Sequence, residues 1–125
     1  MTALFQRIQP AQRFHLNRNY IAHSLKIPPS TIVRIECWAY VLFIHRYDRG
    51  GQFVSYRQLN RWTRTIAQMI QTSPNLEDLK ELGQWINQES IKFEAQYSAI
   101  ALDYLRQLWV QRREQLTSLS ETETP

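Results

Sequence analysis

Apolar positions recur along most of this chain at spacings of three and four, the period of a helix with one buried face. From Leu76 onward the register passes through Leu79, Leu82, Ile86, Phe93, Tyr97, Ile100, Tyr104 and Leu108. It persists across Gly83, so one long helix or two stacked ones satisfy it equally. Leu59, Trp62, Ile66 and Ile70 form a second stripe on a helix over 55–71, with Ser55 placed to cap it. Phe14, Ile21, Ala22 and Leu25 mark a first helix over 11–25, interrupted by Arg18 and ended by Pro28 and Pro29. Between these, Ser30 or Thr31 caps a helix reaching 47 that is apolar nearly all round, through Ile32, Val33, Ile35, Trp38, Val41, Leu42 and Ile44. Such a helix belongs in the middle of a bundle. Its β-branched residues make a buried strand the competing assignment, and its length decides for helix.

Breaks between these segments are plain. Asp48-Arg49-Gly50-Gly51 reads as a turn, Gln52-Phe53-Val54 as extended, and Ser73-Pro74-Asn75 as a stop, with Asn75 and Asp78 as a capping pair for the next helix. With three glycines in 125 residues, a sandwich or barrel is short of turn residues. The expected fold is therefore all-α, a single bundle of about four or five helices over 1–118. A flexible acidic tail over 119–125 follows. Four tryptophans and a 12% aromatic share exclude wholesale disorder. Trp38 and the single cysteine, Cys37, are expected in the core.

Charge changes this picture more than composition does. Residues 1–76 hold ten Lys and Arg against two acids, Glu36 and Asp48, whereas residues 77–125 hold five against nine. A basic half with so few acids points to a polyanion. On the helix expected over 55–71, Arg57, Arg61 and Arg64 fall within about 60° of one another at 100° per residue, opposite the apolar stripe. A row of guanidinium forks suits the phosphates of a nucleic acid backbone and reads no bases. Arg13, Arg18, Lys26, Arg34, Arg46 and Arg49 are the remaining candidates for that surface. Tyr20, Tyr47 and Tyr56 are placed to straddle the edge of the core, with base stacking as the less favoured role. A helix-turn-helix across 20–37 is disfavoured, because its recognition helix would offer Ile32, Val33, Ile35 and Cys37 to the groove.

Catalytic and metal chemistry find little footing. His15, His23 and His45 lack the spacing of a metal pair, and Gly50-Gly51 lacks the Lys and Ser/Thr of a phosphate loop. No cofactor, metal or small-molecule substrate is expected. Residues 1–10 have no long apolar core and the most apolar run, 37–44, is too short for a bilayer, which needs roughly 20 residues. A cytoplasmic, non-enzymatic protein is the expectation.

A short, basic, helix-only chain with a one-sided arginine row resembles the small subunits of CRISPR effector complexes. The resemblance spans the whole chain in architecture and charge and rests on no short motif. It implies a helical subunit of a larger complex, in contact with other protein subunits or copies of itself, guiding a DNA strand through backbone contacts. The alternative is a protein–protein adaptor or assembly factor whose basic face meets an acidic partner.

Overall fold

Ile32, Val33, Ile35, Val41 and Ile44 are stiff at the β-carbon and suit a pleated surface. In the computed structural model, which describes the backbone of residues 1–123 and the side chains of 1–119, they build strands. Strand β1 spans Ile32–Cys37, β2 Leu42–Arg46 and β3 Gly50–Val54. Among the described residues these form a three-stranded antiparallel sheet in the order β1-β2-β3. The all-α bundle is thereby overturned, together with the helix over 30–47: the fold mixes helices with a sheet. The physical reason is a period of two hidden in an apolar run. Ile32, Leu42, Ile44, Arg46 and Val54 are buried on one side, while Phe43, His45 and Phe53 alternate with them toward the other.

Two turns complete the sheet. Between β1 and β2 the chain reverses at 38–41, where the Trp38 N–H donates to the Val41 carbonyl at 3.1 Å. Trp38 is therefore not a core residue; it is 45% exposed. Cys37, also expected inside, ends β1 as an exposed residue. The turn and extended run expected over 48–54 are the β2–β3 hairpin, with Gly50 at φ +75°, a value open to glycine without a side-chain clash.

The chain divides into two compact units, residues 8–62 and residues 1–7 with 63–125. In the first, the helix expected over 11–25 is split. Helix α2 (Pro10–Arg13) stops where Phe14 turns extended, and α3 (Arg18–Leu25) starts afresh from Asn17, whose side chain accepts from the Tyr20 N–H at 2.8 Å. Lys26 closes α3 in the left-handed region. Phe14, Ile21, Ala22, Tyr56, Leu59 and Trp62 are buried and, with the inner side of the sheet, supply this unit's core. Helix α4 (Asn60–Gln71) begins five residues later than its expected cap, because Ser55 opens a single 3-10 turn, Tyr56–Gln58, instead. The expected buried stripe holds: Leu59, Trp62, Ile66 and Ile70 are each at most 2% exposed.

The other unit holds α1 (Ala3–Ile8) up to Arg7, the remainder of α4, α5 (Leu76–Lys92) and α6 (Ala99–Glu123). Asn75 caps α5 by accepting from the Asp78 N–H at 2.8 Å, as its spacing predicts. The long register from Leu76 resolves into two helices, since the Ser98 hydroxyl accepts from the Ala101 N–H at 3.0 Å and starts α6. Helices α5 and α6 pack on each other, and the Trp109 indole N–H donates to the Leu79 carbonyl at 2.9 Å. Glu89, fully buried, accepts from the hydroxyls of Thr2 and Tyr97. The acidic tail expected over 119–125 lies, Leu119 apart, outside the residues whose side chains are described.

Candidate nucleic-acid interface

The outer side of the sheet carries aromatic rings where a solvated sheet normally carries polar side chains. Register sets them side by side: Phe43 on β2 pairs with Phe53 on β3 and with Glu36 on β1, and His45 pairs with Arg34 and Gly51. The rings touch. Trp38 stacks on Phe43 at 5.3 Å between centroids and 13° between planes, while Phe53 meets Trp38 at 5.5 Å and Phe43 at 4.9 Å. His45 stands edge-on to Phe43 at 4.5 Å. Phe53 is 60% exposed, so this cluster is an open surface. A scattered apolar side chain needs no explanation, but a contiguous exposed aromatic group marks a surface built for contact.

Local chemistry holds the platform in place. The buried Tyr56 hydroxyl donates to the Trp38 carbonyl at 2.7 Å, fixing the β1–β2 turn under the indole. Its burial pushes the phenol above its ordinary range, so it stays a donor. Gly51 lies across from His45 and beneath the Phe43 ring. A β-carbon at Gly51 would come within 2.2 Å of Phe43 Cζ, so the ring lies flat over β3 because this position is glycine. Arg46, buried beneath the sheet, is held by Asp48 through Nε–Oδ1 at 2.9 Å and Nη2–Oδ2 at 2.8 Å, and by Gln52 at 2.8 Å.

The unit that carries the rings is basic. Residues 8–62 carry eight Lys and Arg against Glu36 and Asp48. Arg34 is exposed on β1, with Nε 3.5 Å from Glu36 Oε2. Arg18, also exposed, donates to the Val33 carbonyl at 3.3 Å, which puts its guanidinium beside the same strand. Arg49 is exposed in the β2–β3 turn, Lys26 at the end of α3, and Arg13 at the end of α2.

The arginine row inferred from helical spacing is dispersed. Arg57 lies in the 3-10 turn before α4, buried, with its guanidinium 5.6 Å from the Trp62 ring centre. Arg61 lies 4.4 Å over the Tyr20 ring and donates to the His15 carbonyl at 2.8 Å. Arg64 is the exposed member. Two of the three guanidinium groups thus bind their own unit; of the tyrosines expected at the edge of the core, Tyr20 is half-buried and accepts from the Arg61 N–H, Tyr56 is fully buried and Tyr47 is exposed. The candidate surface residues that sequence reasoning missed are Trp38, Phe43, Phe53, His45 and Glu36. Their signal was present in the alternation from Leu42 to Arg46, buried and outward by turns, followed by Asp-Arg-Gly-Gly as a hairpin turn.

Among the described residues no three His, Cys, Asp or Glu gather as metal ligands, and no helix is long and apolar enough to cross a membrane. No protein-family model, curated protein or solved structure matches this chain.

Proposed function

We propose that residues 8–62 bind single-stranded nucleic acid across the outer face of the sheet, as a non-catalytic module. The observation that carries this reading is the contiguous ring group Trp38, Phe43 and Phe53, with Trp38 and Phe53 exposed, on a unit with a formal charge of +6. Rings of this kind offer a π-face to any unstacked base, and a nearby cation attracts the strand that carries it. Arg34, across from His45 on the outer face, and Arg18, bonded to the Val33 carbonyl, are the proposed phosphate contacts, together with the exposed Lys26 and Arg49. A duplex keeps its base faces covered, so it gains from the cations and not from the platform.

The resemblance to CRISPR small subunits rested on a helix-only architecture and on charge, and the sheet removes the first of these supports. The nucleic acid contact drawn from the charge distribution does not depend on it. Fluorescence anisotropy of a labelled oligonucleotide tests the reading. Single strands are expected to bind at least about tenfold tighter than the matching duplex. The log–log salt slope for the single strand is expected near 2–3, at about 0.7 per phosphate contact. Equal, weak affinity for both forms would discard the platform and leave an adaptor with a basic face as the better account.

A further inference from the structure

We infer that Glu36 makes the aromatic face selective, favouring bases that carry an exocyclic amino group over thymine and uracil; the inference rests on the nucleic acid reading above. Of the two acids in the basic unit, Asp48 is committed to buried Arg46 by two charge-assisted hydrogen bonds. Glu36 is placed differently. It stands on the outer face across from Phe43, at the rim of the rings. Its Oε2 is engaged by His45 Nε2 and lies 3.5 Å from Arg34 Nε. Its Oε1 meets the Trp38 indole N–H at 3.5 Å, the far limit of a hydrogen bond.

A carboxylate oxygen carries two lone pairs, so Oε1 retains room for a strong donor. The His45 hydrogen bond holds the carboxyl below its ordinary value of 4.5, which keeps it an acceptor at neutral pH. A negative charge on a face otherwise suited to phosphates weakens backbone attraction, so it favours binding only where a base edge donates to it. Cytosine and adenine offer an amino group, and guanine an amino group beside a ring N–H. Thymine and uracil present carbonyl oxygens on either side of their single ring N–H, and these repel the carboxylate. The indole and the carboxylate are neighbours, so a base stacked at Trp38 brings its edge to Oε1.

Oligo(dC) and oligo(dT) of about 12 nucleotides, a length within the usual site size, separate the terms cleanly. They share ring size and backbone and differ at the amino or carbonyl group, at the N3 proton and by the thymine methyl, whose added apolar surface favours oligo(dT) and so works against the expected preference. The full-length protein is expected to bind oligo(dC) roughly tenfold tighter at neutral pH, the value of one charge-assisted hydrogen bond at a partly open site. In Glu36→Gln the amide turns to offer either a donor or an acceptor, and the two affinities should converge to within about twofold, since the contrast came from the charge. Equal binding of both oligonucleotides by the unmodified protein overturns the selectivity and leaves the nucleic acid reading standing. A preference that survives in Glu36→Gln assigns it to another residue and overturns the role of Glu36. Binding of neither oligonucleotide overturns the nucleic acid reading itself, and this inference with it.

Discussion

Gly51→Ala is a small change with a large expected reach. The added β-carbon would lie 2.2 Å from Phe43 Cζ and 2.8 Å from Cε2, well inside van der Waals contact. The Gly51 backbone is not in the left-handed region, so alanine itself is tolerated there, and by stiffening the unfolded chain it contributes about 0.4–1 kcal/mol of stability. The ring must give way instead. Phe43 then forfeits its contacts with Trp38, Phe53 and His45, each worth about 0.5–1.5 kcal/mol, at the low end because the face is open to water. The net expectation is a loss of about 0.5–1 kcal/mol, read from the urea midpoint, with a reduced near-ultraviolet circular dichroism signal as the rings lose order. Gly50→Ala is the control. Nothing lies within 4 Å of a β-carbon there, but φ is +75°, so it should cost about 1–2 kcal/mol through backbone strain and leave the aromatic signal intact. A Gly51→Ala protein of unchanged stability and unchanged aromatic dichroism would refute the packing described for this face.

Other expectations follow from the same contacts. Trp62→Ala should destabilise by about 3–5 kcal/mol as a fully buried aromatic, while Trp38→Ala should cost about 1 kcal/mol since it loses only surface ring contacts; urea denaturation ranks the two. Arg61→Gln should cost about 1–2 kcal/mol by releasing the Tyr20 ring and the His15 carbonyl, whereas Arg64→Gln on the solvent side should stay within about 0.5 kcal/mol. Glu89→Ala should cost about 1–3 kcal/mol in thermal or urea unfolding, because Thr2 and Tyr97 lose their shared acceptor. Acid should weaken the sheet unit. The Arg46 hydrogen bonds hold Asp48 below its ordinary 3.8 and the His45 hydrogen bond holds Glu36 below 4.5, so their contribution is complete above those values and fades as pH falls through the lower folded ones. Asp48→Asn should flatten the fall of the urea midpoint below about pH 4.

Legibility in the sequence followed the number of readings each segment allowed. The stripe Leu59, Trp62, Ile66 and Ile70 sits among mainly polar neighbours and one period fits it, and those side chains are buried as read. Asn75 and Asp78 carry a local rule that needs no tertiary partner, and the cap is there. Residues 32–44 failed for a reason tied to the candidate site. Rings on the outward face erase the polar half of a strand's alternation, so a sheet with one aromatic open face looks like a helix buried on all sides. The arginine row failed at two points. Helical azimuths were carried back to Arg57, which lies in a 3-10 turn. Spacing also does not distinguish a guanidinium that reaches solvent from one that reaches Tyr20 or Trp62.

Replacing Trp38 and Phe53, the two exposed rings of the sheet cluster, tests the platform most directly. In the Trp38→Ala, Phe53→Ala double variant, single-strand affinity is measured by anisotropy against the unmodified protein, with far-ultraviolet circular dichroism confirming that the sheet persists. Base stacking is worth about 1–3 kcal/mol per ring, so the double variant should bind at least about thirtyfold more weakly, and up to about ten-thousandfold where each ring holds its own base. Its salt slope should stay the same, because Arg18, Arg34, Lys26 and Arg49 are untouched. Single-strand affinity unchanged in a folded double variant would contradict the account.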